Sequence, residues 1–134
     1  MSMVFGGYIV DADGGRHQLE AIMDPQELDV RGVLTSIGKG SGVIKMRCQP
    51  ESEGRPYELA LYVESEKFLL MLSEYDKDGE HGVRTITDPN SKNELVSILG
   101  EMYPARAVTR DAEVVCALFI EFARTGNVSA DIMA

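Results

Sequence analysis

An α+β domain, with a mostly antiparallel sheet of about five or six strands and two covering helices, is the fold class this sequence predicts. Three observations carry it. Short apolar runs with period-two alternation recur between turn-forming residues, as strands do. Two longer stretches, after Asp24-Pro25 and after Thr109, repeat their apolar residues at helical spacing. The strand-like runs of the middle third follow one another with no helix between them, so they pair as a meander rather than as βαβ units.

Met3 to Val10 is rich in β-branched and aromatic residues and stops at Asp11-Ala-Asp-Gly-Gly15, a tight-turn composition. His17 to Met23 returns as a second extended run with imperfect alternation. Asp24-Pro25-Gln26-Glu27 then opens a helix: Asp24 suits the cap, Pro25 the first helical position and Glu27 a capping box. Val30, Val33, Leu34 and Ile37 form its apolar stripe, and the glycines from Gly38 to Gly42 end it.

Val43 to Gln49, Tyr57 to Glu64 and Phe68 to Glu74 read as the meander. In the second of these, Leu59, Leu61 and Val63 face one way and Glu58, Ala60, Tyr62 and Glu64 the other, which predicts one solvated face. Glu64-Ser-Glu-Lys67 has hairpin length, and Asp76-Lys-Asp-Gly-Glu80 is a second turn before an extended Gly82 to Thr87, stopped by Asp88-Pro89-Asn90. Glu94 to Gly100 reads as a strand and Glu101 to Ala107 as irregular, because Pro104 blocks a helix. Thr109 caps the last helix, whose stripe is Val114, Val115, Leu118, Phe119 and Phe122 and whose left-handed stop is Gly126.

The 134 residues fit one domain spanning 1–134. Apolar content of 44% beside 26% charge is that of a folded chain and excludes disorder. No basic leader precedes an apolar stretch, and no apolar run approaches the ~20 residues a membrane span needs, so a cytoplasmic protein without a membrane partner is expected. Cys48 and Cys116 lack CxxC spacing and sit among apolar residues, as buried reduced thiols do. Net charge is -9, and residues 51 to 80 hold nine acids against three bases. Such a balance repels phosphates, which argues against nucleic acid, and suits either solubility or a basic partner.

The motifs that invite chemistry each have a plainer explanation. Gly38-Lys-Gly-Ser-Gly42 follows a helix and precedes a strand, the reverse of a phosphate-binding loop. Asp11-Ala-Asp-Gly14 and Asp76-Lys-Asp-Gly79 resemble part of a calcium loop but lack its twelfth-position acid and flanking helices. His17 and His81 have no partner at metal-ligand spacing, so no metal and no cofactor are expected. A Cys48–His81 nucleophilic pair would require an exposed thiol. No catalytic residue is assigned.

The strands Leu59-Ala-Leu-Tyr-Val63 and Phe68-Leu-Leu-Met-Leu72, Gly100 with Tyr103-Pro104, Val108-Thr109 and the closing Phe119-Ile-Glu-Phe122-Ala-Arg-Thr125-Gly126 carry a resemblance. In this order they resemble the small immunity proteins that bacteria pair with polymorphic or contact-dependent growth-inhibition toxins. Those families often end in an apolar tail with tryptophan, whereas this chain has none and ends in Ile132-Met133 before its last residue. The resemblance implies a non-enzymatic toxin inhibitor used in bacterial competition, which binds and neutralises one cognate toxin domain by covering its active site or substrate groove. That toxin is often a nuclease, whose basic groove suits an acidic inhibitor.

On that expectation the partner-binding candidates are Glu64, Glu66, Glu74, Asp76, Asp78 and Glu80, on or near two connected loops, with Tyr62 and Tyr75 as aromatic anchors. Residue by residue, a solvated edge with locally packed tyrosines is the simpler explanation. The alternative is a small ligand-binding domain or enzyme that uses a cleft beside the sheet, with Cys48, His17 or His81 participating.

Overall fold

The computed structural model describes residues 2–50, 55–88 and 93–133. In chain order the elements are β1 (Ser2–Val10), β2 (Arg16–Gln18), β3 (Ile22–Met23), α1 (Glu27–Ile37), β4 (Ser41–Gln49), β5 (Pro56–Glu64) and β6 (Lys67–Tyr75). They continue with β7 (His81–Thr85), β8 (Leu95–Ile98), β9 (Glu101–Pro104), a 3-10 turn (Ala105–Ala107), β10 (Val108–Thr109) and α2 (Ala112–Thr125). The main sheet is antiparallel in the order β10-β6-β5-β4-β1-β2, with β3 also on β1 and β7 also on β6. β8 and β9 form a separate hairpin. The fold is the expected α+β domain: a mostly antiparallel sheet with two helices.

Alternation decides which residues meet the helices. Leu59, Leu61 and Val63 are fully buried on one face with Phe5, Ile44, Met46, Leu70 and Leu72. Val30 and Ile37 of α1 and Val115, Leu118, Phe119 and Phe122 of α2 close over them. Phe119 lies edge-on to Phe5 with ring centroids 5.6 Å apart. Each such side chain removed from water contributes about 1.5–3 kcal/mol before the entropy of ordering it is subtracted. β1 and β4 approach unusually closely: a Cβ on Gly7, at φ 144°, would lie 2.0 Å from the Val43 carbonyl oxygen.

The opposite face is not simply solvated as its alternation predicts. Leu69, Ile98 and Ala107 form a second buried cluster there, joined by Tyr62, Met71, Val96, Leu99, Tyr103 and Val108. The cover comes from residues 95–107, which fold as a hairpin and a 3-10 turn instead of one strand and an irregular segment. Leu99 and Gly100, at φ 53° and 87°, make the tight reversal between β8 and β9. Pro104 takes the last position of β9, where a missing amide donor is tolerated. The domain therefore has three layers: helices, sheet and hairpin.

Both helix starts shift from their expected caps because a strand distant in sequence engages the residue, Asp24 through its carboxylate and Thr109 through its backbone. Asp24 sits at φ 48°, its carboxylate accepts the Met3 amide at 2.8 Å and its own amide donates to the Met3 carbonyl at 2.7 Å. Gln26 caps α1 instead, its amide donating to Asp29 Oδ2 at 2.8 Å. Thr109 pairs with Phe68 in the sheet, and Asp111 caps α2, accepting from the amides of Glu113 and Val114 at 3.0 and 3.4 Å. Gly126 ends α2 in the left-handed region at φ 75°, as expected. The extended run His17–Met23 is broken into β2 and β3, which pair with different parts of β1. Of the predicted Asp88-Pro89-Asn90 stop, Pro89 and Asn90 lie outside the described residues.

Candidate partner-binding surface

Strand β6 divides the eight candidate residues into two groups. Its nine residues span about 27 Å at the usual rise, with the β5–β6 turn at one end and the β6–β7 turn at the other. Tyr62, Glu64 and Glu66 belong to the first end, whereas Glu74, Tyr75, Asp76, Asp78 and Glu80 belong to the second. The two loops are connected through the strand but do not form one patch.

At the first end the side chains serve the fold. Glu64 accepts the Leu99 amide at 3.1 Å and Lys67 Nζ at 3.3 Å, and Lys67 in turn donates to the Ser97 carbonyl at 2.6 Å. This pair fastens the β8–β9 hairpin onto the sheet. Tyr62 is half-buried in the second cluster, and burial pushes its phenol above the ordinary value. Glu66 alone is exposed, at the tip of a turn in which Ser65 and Glu66 both have positive φ.

The second end is more open. Residues 76 to 83 are all exposed, and Asp76 organises them. Its Oδ1 accepts the amides of Asp78 and Glu80, both at 2.9 Å, while Gly79 at φ 81° closes the turn. Asp11 does the same for Asp13 and Gly15, at 2.9 and 2.8 Å, and its other oxygen meets His17 Nε2 at 2.6 Å. The hydrogen bond from His17, then that from the Gly15 amide, holds the Asp11 carboxyl below its usual range. The two Asp-x-Asp-Gly motifs are one turn used twice, with the first carboxylate spent on backbone amides. No group of three or more His, Cys, Asp or Glu able to hold a metal ion occurs among the described residues.

Beside this turn the bulge at Pro56–Glu58 brings Tyr57 onto Tyr75, which stack at 5.0 Å and 16°. Tyr57 Oη lies 3.0 Å from His81 Nε2, and the His81 ring is 5.4 Å from that of Tyr75. Burial pushes the Tyr57 phenol above its ordinary value. Tyr57 and His81 were not among the partner-binding candidates, and only the strand register reveals them. A cleft of ≈ 460 Å³ lies against Tyr75, Asp76, Glu80 and His81. Glu74 forms an ion pair with Arg84, 3.1 Å from its Nε, and the Arg84 Nη groups donate to Asn127 Oδ1 at 2.9 Å and to the Met133 carbonyl at 3.3 Å. Glu74 is thus part of the clamp that holds the C-terminal segment.

Cys48 and His81 are not brought together. They lie on β4 and β7, three strand spacings or about 14 Å apart across the sheet. Cys48 is buried with its sulfur 3.5 Å from Met3 Sδ, and burial raises its thiol as it does that of Cys116. The glycine-rich stretch is likewise structural: Gly40 donates to the Ile37 carbonyl at 2.9 Å, and a Cβ on Gly42 would meet the Tyr8 carbonyl at 2.5 Å.

These observations define a small acidic α+β domain with one exposed acidic and aromatic corner. The chain belongs to a family described as "Family of unknown function (DUF6911)", which it matches over residues 2–132. It is also similar to a hypothetical protein from Neisseria gonorrhoeae solved as a crystal structure, with a TM-score of 0.86 and 24% identity over 96% of this chain and 90% of that one. That likeness shows the fold alone. No curated protein matches the chain. Among the described residues, no helix is long and apolar enough to cross a membrane.

Proposed function

We propose that this protein is an immunity-type inhibitor that binds a cognate basic toxin domain, a nuclease by preference, and blocks its active site or substrate groove. The observation that carries the proposal is the β6–β7 corner. Asp78 and Glu80 project from a turn already fixed by Asp76, beside the Tyr57–Tyr75–His81 cluster and the half-exposed Val83. Fixed carboxylates around an aromatic centre suit a basic groove: the charges steer encounter and the rings supply buried contact area at little entropic cost. The net charge of -9 extends the same attraction over the whole molecule.

The proposal includes a cytoplasmic location, where the two free cysteines would stay reduced. It assigns no catalytic residue, metal or cofactor. The test is titration of the purified protein against a basic toxin domain encoded beside its gene, followed by calorimetry and by the toxin's own activity. Stoichiometric binding with loss of toxin activity is expected. Absence of binding to such a neighbour, or binding that leaves toxin activity intact, would overturn the proposal.

A further inference from the structure

A cleft between β7, β9 and the outer edge of β6 differs in charge from the clefts at the helix pair and at the β6–β7 turn. The cleft between α1 and α2 is lined in part by Asp24 and Glu27, and the one at the β6–β7 turn by Glu74, Asp76 and Glu80. The third, of ≈ 450 Å³, has no carboxylate in its lining and contains Arg106. In a chain with 22 acids against 13 lysines and arginines, that composition distinguishes the cleft from the other two. Arg106 is exposed, and no carboxylate among the described residues pairs with it.

The topology explains why a cleft opens here. The outer edge of β6 changes partner along its length: β10 takes Phe68 and Leu69, and β7 takes Met71 through Tyr75. Past Thr85 the chain leaves that edge; Ile86 bridges to Met133, and the Asp88 amide donates to the Arg106 carbonyl at 2.8 Å. The space enclosed has an apolar floor of Leu69, Met71 and Ala107 from the second cluster. Thr85, Thr87, Tyr103 and Arg106 supply polar groups around it.

We infer that this cleft binds a small carboxylate with an apolar body, such as a short aliphatic or aromatic acid. Arg106 supplies the charge and the forked donors that match a carboxylate. The threonine hydroxyls offer further donors, and the floor takes the hydrocarbon part. The volume lies within the roughly 300–1,000 Å³ of small-molecule sites. Tyr103 contributes a phenol, whose pKa burial, then the charge of Glu101, pushes upward. The inference is independent of toxin binding, whose proposed surface lies at the β6–β7 turn.

Titration of the isotope-labelled full chain with benzoate, and separately with the neutral isostere benzamide, tests it by amide chemical shifts. Saturable shifts at Thr85, Thr87 and Ala107 are expected, with benzoate bound at least about tenfold more tightly than benzamide. Arg106→Gln should erase that preference while the remaining spectrum stays that of the folded protein, and Thr87→Val should weaken benzoate a few-fold. The D78K/E80K variant should bind benzoate as the unaltered protein does. No saturable shift by about 10 mM benzoate, a level already weaker than millimolar affinity, would overturn the inference. So would equal affinity for acid and amide, or an Arg106→Gln variant that binds benzoate unchanged.

Discussion

Replacing Asp78 and Glu80 together by lysine should slow association with the toxin domain about tenfold at physiological salt without unfolding the protein. No ion-pair or side-chain hydrogen-bond partner among the described residues is given up, because Asp78 and Glu80 enter the turn through their backbone amides. Stability should therefore stay within about 0.5 kcal/mol. Facing a cation about 6 Å away across water, one unit charge is worth roughly 0.7 kcal/mol. Reversal changes each site by two units, and screening over a Debye length of about 8 Å removes half of that. Two sites then give roughly 1.4 kcal/mol, or about tenfold in rate. Stopped-flow fluorescence at low and high salt measures it, and the difference should shrink as salt rises. Asp76→Ala and Glu74→Gln should behave differently, costing on the order of 1 kcal/mol in urea unfolding, since they remove the acceptor for two turn amides and the partner of Arg84. An association rate for D78K/E80K equal to that of the unaltered protein at low salt, with circular dichroism unchanged, would refute this corner as the interface.

Two glycines should respond in opposite senses to alanine. At Gly7 the new Cβ would lie 2.0 Å from the Val43 carbonyl, so β1 and β4 must part and a loss of about 3 kcal/mol or more is expected by urea unfolding; at Gly32, within α1 and with nothing within 4 Å, alanine should stabilise by about 0.5–1 kcal/mol. Asp11 is lowered in the folded state, so its support is present above its unfolded value near 3.8 and lost as pH falls through the lower folded value. Asp11→Asn should accordingly flatten the acid limb of melting temperature against pH. Cys48 and Cys116 are buried and shifted upward, so iodoacetamide at pH 8 should label neither until denaturant opens the core, as mass spectrometry would show.

What could be read from residues was whatever a local pattern dictates. Leu59, Leu61 and Val63 alternate because a sheet face does, and Val115, Leu118 and Phe122 repeat because one helix face does, so the meander, the final helix and its Gly126 stop were legible. Caps were less so. Asp24 and Thr109 have cap chemistry, but β1 and β6 also needed partners, and a strand distant in sequence won each of them. The β8–β9 hairpin was hidden because leucine is an uncommon residue at the positive φ that Leu99 takes in this reversal, and Pro104 points away from regular structure until its end-of-strand position is known.

The candidate surface failed to be legible for a geometric reason. Glu64 and Glu74 stand ten positions apart, with one strand between them, and sequence proximity suggests a shared surface; an extended strand instead carries its two ends about 27 Å apart. Burial sorts the acids further. Glu64 anchors the hairpin and Glu74 the C-terminal clamp, so abundance of carboxylate in this stretch overstates the charge available to a partner. The residues that give the remaining corner its character, Tyr57 and His81, enter from β5 and β7 and meet Tyr75 only through cross-strand register. A surface assembled from three strands leaves no spacing in the chain by which to find it, whereas the turn that orients its charges, Asp76 through Glu80, is local and was visible as a turn from the start.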